Sequence, residues 1–241
     1  MKFDLPLTTH ILIAYSGGPD STALAHLLLK YGRRIAAPEN IELLHVNHGW
    51  RGAESDGDEE FAKNFALEMG ASCHSFKVAA PDGQSQSYGG GRSWDEVARS
   101  LRKDIFNREA ESRSSWILTA HQMDDLAETV LWRLLTGAAE SHGGGIARKH
   151  GVELRPLLNI RKKELLAYLQ EERQGFRVDQ TNDEERFLRA RMRKRLFPEI
   201  EEIFPRAVEN LAQLGFNAQT QDDEHFTPEK LIGSSGLSDR N

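Results

Sequence analysis

The sequence predicts an α/β fold in which a parallel sheet is covered by helices. Two observations carry this. Strand-like and helix-like segments alternate through the first 135 residues, the pattern of a parallel sheet with crossover helices. The first apolar run, His10 to Tyr15, reads as a buried strand and passes through a Gly17-Gly18 pair straight into a helix.

The elements follow in order. A helix is predicted over Asp20–Tyr31, a second strand over Ile41–Val46, a helix over Ser55–Met69 and a third strand over Ser72–Val78. Residues 79–92, rich in glycine, serine and glutamine, read as a loop, and Ser93 suits the N-cap of a helix running to about Glu111. Trp116–Ala120 reads as a fourth strand and Met123–Leu135 as a helix. Beyond a glycine-rich stretch at 136–146, helical periodicity returns at Arg161–Gln170, Phe187–Phe197 and Glu199–Leu214, the last two divided by Pro198. Apolar residues thin out from Phe216, so 216–241 is expected to be a weakly ordered tail behind a domain at 1–215, whose helical extension starts near 160.

Composition narrows the classes. No apolar run approaches the roughly 20 residues that span a bilayer, and no signal peptide is evident, so no membrane association and a cytoplasmic location are expected. The single cysteine, Cys73, excludes a Cys-x-x-Cys metal or iron–sulfur site and is expected as a buried strand residue. A net charge of −6 argues against an evenly basic nucleic-acid coat. The charge is uneven, however: acidic Asp183-Glu184-Glu185 is followed by a run from Arg186 to Arg195 with six Arg or Lys, either a solvated helix face or a polyanion contact.

The chemistry is concentrated in Ser16-Gly17-Gly18-Pro19-Asp20-Ser21. Paired glycines between a strand and a helix let the backbone approach an anion, and the free amides of the first helical turn face it. Ser16 and Ser21 add hydroxyls. No Lys-Ser/Thr follows the glycines, so a Walker-type NTPase is not supported, and no Gly-x-Gly-x-x-Gly occurs. Asp20 is either a helix cap or, since a carboxylate beside a phosphate needs a cation between them, a Mg²⁺ ligand; the setting favours the second.

Ser-Gly-Gly-x-Asp-Ser after a strand resembles the phosphate loop of the PP-loop, or N-type ATP pyrophosphatase, superfamily. The resemblance implies a Rossmann-like sheet of five parallel strands with helices on both faces, adenine nucleotide alpha hydrolase-like, and cleavage of ATP between the α- and β-phosphates. Further segments are similar to the tRNA(Ile)-lysidine synthetase family: His45-Val46-Asn47-His48-Gly49-Trp50-Arg51-Gly52, Thr119 to Thr129, Arg155-Pro156-Leu157-Leu158, Asp179 to Asn182 and the basic run to Arg195. In that family ATP adenylates the C2 oxygen of the wobble cytidine of tRNA(Ile) with a CAU anticodon, and the ε-amine of free L-lysine then displaces AMP.

Carried onto this chain, the resemblance implies Asp20, Asp124, Asp125 and Arg193 as catalytic residues and Asp20 with Asp124 as Mg²⁺ ligands. Ser16, Gly17, Gly18, Asp20, Ser21, His45 and His121 would bind ATP, while Arg51, Arg99, Glu128, Arg189 and Arg191 would bind substrate. A homodimer is also implied. On the residues alone, His121 with Asp124 is equally a capping interaction, and a set of helix-surface charges is the lesser alternative for Asp125, Glu128 and Arg133. The chain departs from the family pattern at Thr136 and Ala139 in the glycine-rich stretch, at Ala190 where an asparagine is usual, at Gln122 where a histidine is common and at Lys103 where an aromatic is usual. No tRNA-gripping domain is expected after Leu214, leaving recognition to the core and the basic helix. Two other readings stand beside lysidine formation: adenylation of a different substrate, and a nucleotide- or RNA-binding paralogue without turnover.

Overall fold

A computed structural model describes residues 10–32, 36–49, 52–78, 94–138, 145–178 and 188–220. Strand β1 (Ile11–Ala14) is at the centre of the sheet because it is apolar on both faces, as a strand with parallel neighbours on either side must be. It pairs with β2 (Ile41–Asn47) on one side and β4 (Trp116–Leu118) on the other, with Ile11 level with both Ile41 and Trp116. β3 (Cys73–Lys77) extends the sheet beyond β2. Two short strands absent from the predicted set complete it: β6 (Glu153–Leu154) runs parallel to β4, and β5 (Lys149–His150) closes the edge antiparallel to β6. The order is β3-β2-β1-β4-β6-β5, so the five parallel strands expected are present with one antiparallel strand added.

Side chains alternate across β1. Ile11, Ile13 and Tyr15 face a core built with α1 (Pro19–Tyr31), α2 (Ala53–Glu68) and α5 (Lys162–Glu171). Leu12 faces the opposite way, onto Ile105, Phe106 and Ala110 of α3 (Trp94–Arg113). Helices therefore cover both faces. α4 (Met123–Thr136) packs through Leu126, Ala127 and Val130 against α8 (Ala207–Thr220), which fastens the C-terminal helices to the sheet domain.

The C-terminal region differs from the expected pattern in three ways. The basic segment forms α6 (Leu188–Arg191) and then a single π turn at Met192–Leu196, closed by the Phe197 amide donating to the Met192 carbonyl. Pro198 does not divide two helices; it follows the π turn directly and lies in the first turn of α7 (Phe197–Ile203). The break falls at Phe204, in an extended conformation (φ −127°, ψ 84°) imposed by Pro205 after it. α8 continues past Leu214 to Thr220 because Phe216 joins the core under α4 and Gln219 Nε2 donates to the Ile146 carbonyl at 2.8 Å, so Phe216–Thr220 do not belong to a loose tail. The remainder of that tail, Ser93 with the preceding loop, and Ala139 lie outside the described residues.

Candidate active site

β1 and β4 are neighbours in the sheet, so the segments leaving their carboxyl ends meet, and open α/β sheets bind ligands there. From β1 comes the Ser16–Ser21 loop. Gly17 has φ +82°, a region that favours glycine, and a Cβ there would come within 3.3 Å of Phe61. Ser16 and Ser21 hydroxyls lie 3.0 Å apart, Ser21 Oγ donates to the Gly18 carbonyl at 3.1 Å, and Thr22 Oγ1 donates to that of Gly17 at 3.2 Å. The loop is thus shaped by its own hydroxyls. It is also strapped from outside: the Arg177 amide donates to Gly17 O at 2.8 Å, while Arg177 Nε pairs with Asp58 of α2 at 2.6 Å.

Asp20 is not the helix cap. Gly18 occupies that position with no side-chain cap, and Asp20 follows in the first turn of α1. Its Oδ1 is buried and, among the described residues, has no hydrogen-bond partner; its Oδ2 has only Lys162 Nζ at 3.7 Å. Burial pushes its pKa up to about 6, with the opposing field of Lys162 and smaller contributions from Asp125, Arg193 and Asp124. Those last influences place the phosphate loop, the start of α4 and the basic segment in one electrostatic neighbourhood.

From β4 comes Thr119 to Asp125. Gln122 caps α4: its Oε1 accepts from the Asp124 amide at 2.5 Å, and Asp125 Oδ2 accepts from the Gln122 amide at 3.1 Å. The capping function considered for the His121–Asp124 pair therefore belongs to Gln122. Asp125 is shifted upward by burial, opposed by that amide. Glu128, buried one turn further on, is gripped by Arg193 in a two-point fork, Nε to Oε1 at 2.7 Å and Nη2 to Oε2 at 2.9 Å. The reading of Glu128 and Asp125 as surface charges is thereby set aside.

Asp124 departs from expectation. Both its oxygens are engaged: Arg161 Nε lies 3.2 and 3.3 Å from them, Arg161 Nη2 3.1 Å from Oδ1, and the Lys162 amide 2.8 Å from Oδ2. Both Asp124 oxygens are thus engaged within the protein, and Lys162 Nζ lies 3.7 Å from Asp20 Oδ2. Among the described residues no three His, Cys, Asp or Glu side chains converge as a metal cage. Mg²⁺ needs no such cage when phosphates and waters complete its shell, and the unpartnered Asp20 Oδ1 suits a single protein ligand to it.

The other expected residues have separate surroundings. His45, on β2, is buried and its Nδ1 lies 2.9 Å from the Tyr15 carbonyl, with Nε2 unpartnered among the described residues. His121 Nδ1 meets Thr119 Oγ1 at 3.1 Å; burial, then the cations of Arg155, Arg102 and Arg99, lowers its pKa to about 4. It is neutral near pH 7 and is a hydrogen-bonding group there, not an acid. A histidine ¹³C–¹H NMR titration is expected to show His121 unprotonated down to about pH 5, whereas an ordinary histidine titrates near ~6.5. Arg99 is exposed on α3, Arg191 is exposed on α6, and Arg189 lies over the Trp132 ring at 5.8 Å. Arg51 and Asp179 to Asn182 fall outside the described residues. Three residues escaped the sequence reading: Lys162, Arg161 and Arg177. Only Arg161 carries a local signal, preceding Glu164 by three in a capping box; the ion-pair partners of all three are distant in sequence.

A cleft of about 110 Å³ opens beside Asp124, Glu128, Lys162, Arg193, Phe197, Pro198 and Glu201. No helix among the described residues is long and apolar enough to cross a membrane.

The chain is similar to known proteins over most of its length. A tRNA(Ile)-lysidine synthase of Chlorobaculum tepidum is 40% identical over 195 residues, covering 80% of this chain and 57% of the relative. One of Bacillus cereus is 32% identical over 224 residues, covering 91% of this chain and 46% of the relative. The chain thus spans about half the length of the curated relatives it matches. Among solved structures, the U34-tRNA thiolase NcsA from Methanococcus maripaludis superposes with a TM-score of 0.67 over 92% of this chain and 74% of that one, at 19% identity, a likeness of fold. The model of the PP-loop domain matches residues 5–200, and with the Ser16–Ser21 loop at the end of β1 the chain belongs to that family.

Proposed function

We propose that this chain uses ATP to adenylate the C2 oxygen of the wobble cytidine of tRNA(Ile) and then joins lysine at that carbon. The observation that carries the reading is Asp20: a buried carboxylate oxygen without a partner among the described residues, on a loop shaped for phosphate, in a chain similar to lysidine synthases over most of its length.

In the first step the cytidine oxygen attacks the α-phosphorus and pyrophosphate leaves. Loop amides and the Ser16 and Ser21 hydroxyls hold the phosphates. Asp20 would hold Mg²⁺, which when bound offsets phosphate charge. In the second step the lysine ε-amine attacks C2 and AMP leaves with the C2 oxygen. The amine arrives as an ammonium with a pKa near ~10.4 and must lose a proton. Asp125 is suited to accept it, because burial raises its affinity for protons above that of an ordinary carboxylate. Glu128, fixed by Arg193, offers a rigid anionic wall for the ammonium. The exposed Arg99, Arg189 and Arg191 supply phosphate contacts for the RNA, which the overall charge of −6 does not.

Incubation with labelled lysine, ATP, Mg²⁺ and tRNA bearing a CAU anticodon is expected to transfer label to the RNA. Nucleotide binding without transfer would favour a paralogue without turnover.

A further inference from the structure

Arg161 precedes α5 and is 5% exposed, yet none of the proposed chemistry uses it. Its guanidinium gathers three carboxylates from three helices: Asp124 of α4, Glu201 of α7 at 2.7 Å from Nη2, and Glu209 of α8 at 2.7 Å from Nη1. Without that cation the three half-buried carboxylates would repel one another. Its backbone joins the same knot: the Arg161 amide donates to Glu164 at 2.9 Å, and the Met123 amide donates to the Ile160 carbonyl at 2.9 Å.

The knot lies directly under the cleft. Asp124, Lys162 and Glu201 line it, and each is either bonded to Arg161 or adjacent to it in the chain. α7 continues without interruption from the π turn that carries Arg193, so anchoring Glu201 fixes where that turn stands over α4. We propose that Arg161 is the positioning residue of the site: by tying α7 to the first turn of α4, it sets the Arg193–Glu128 fork at the distance the cleft requires. This rests on the reading of that fork as substrate-facing. A lysine at 161 would keep the charge but, as a point donor, would not span acceptors on three helices.

The test uses the whole chain with Arg161→Lys, and with Glu201→Ala as a milder variant that removes only the α7 anchor. The Nε–Hε NMR signal of Arg193, identified by its loss in Arg193→Lys, is expected to shift or broaden in both. In turnover, KM for lysine is expected to rise about tenfold or more while KM for ATP stays within about twofold. An unmoved Arg193 signal in the folded variants, or parallel losses toward ATP and lysine, would overturn the proposal. Absence of lysine transfer by the unmodified protein would instead sink the proposed function, and the NMR comparison would still decide the placement of Arg193.

Discussion

Asp20→Asn is expected to cost AMP release on the order of 10²–10³-fold and yet to stabilise the protein at pH 8. Asp20 has its pKa raised from 3.8 to about 6 by burial. The folded state therefore holds its proton more tightly than the unfolded chain. The charged carboxylate destabilises the fold fully above about pH 6, and the effect is relieved as pH falls through 6 toward 4. Asparagine, neutral throughout, removes a cost on the order of 1–3 kcal/mol at pH 8. Thermal unfolding of variant and wild type should thus diverge at pH 8 and converge toward pH 4. A variant less stable at pH 8 would mean that Asp20 serves the fold, contrary to a functional role sustained at the expense of stability.

Arg193→Ala carries the second large effect. It leaves Glu128 buried without its cation, and breaking such a pair typically costs roughly 3–5 kcal/mol; with the arginine partly exposed, about 2–4 is expected. Asp20 would feel the change too, since Arg193 opposes the rise in its pKa. Arg193→Lys is expected to recover less than half of both stability and turnover, because Nε and Nη2 act as a fork that an ammonium does not reproduce. Urea unfolding measures this; equal behaviour of the lysine variant and wild type would contradict it.

The parts of the site legible in the sequence are those written within one segment. The Ser16–Ser21 loop is a contiguous motif whose glycines and hydroxyls act on their own backbone, and the alternation of elements reveals the sheet. β5 and β6 escaped because two-residue strands carry no periodicity. The divide between α7 and α8 was misplaced because Pro198 in a first turn and Pro205 after one look alike in a string of letters, and only the backbone of Phe204 distinguishes them. Asp124 was assigned to an ion by its position in a motif, while what occupies it comes from Arg161, 37 residues away, joined there by Glu201 and Glu209. Gln122, which departs from the family pattern, turns out to cap α4 with its own amide group.

In the proposed reaction the loop and Asp20 cleave ATP at the α-phosphate to activate an RNA oxygen. The most direct measurement follows [α-³²P]ATP with tRNA bearing a CAU anticodon and Mg²⁺, first without lysine and then with it. Label should accumulate on the RNA as an adenylate and leave as AMP when lysine is added. Labelled ADP, or an RNA that never acquires the adenylyl group while ATP is bound, would contradict it.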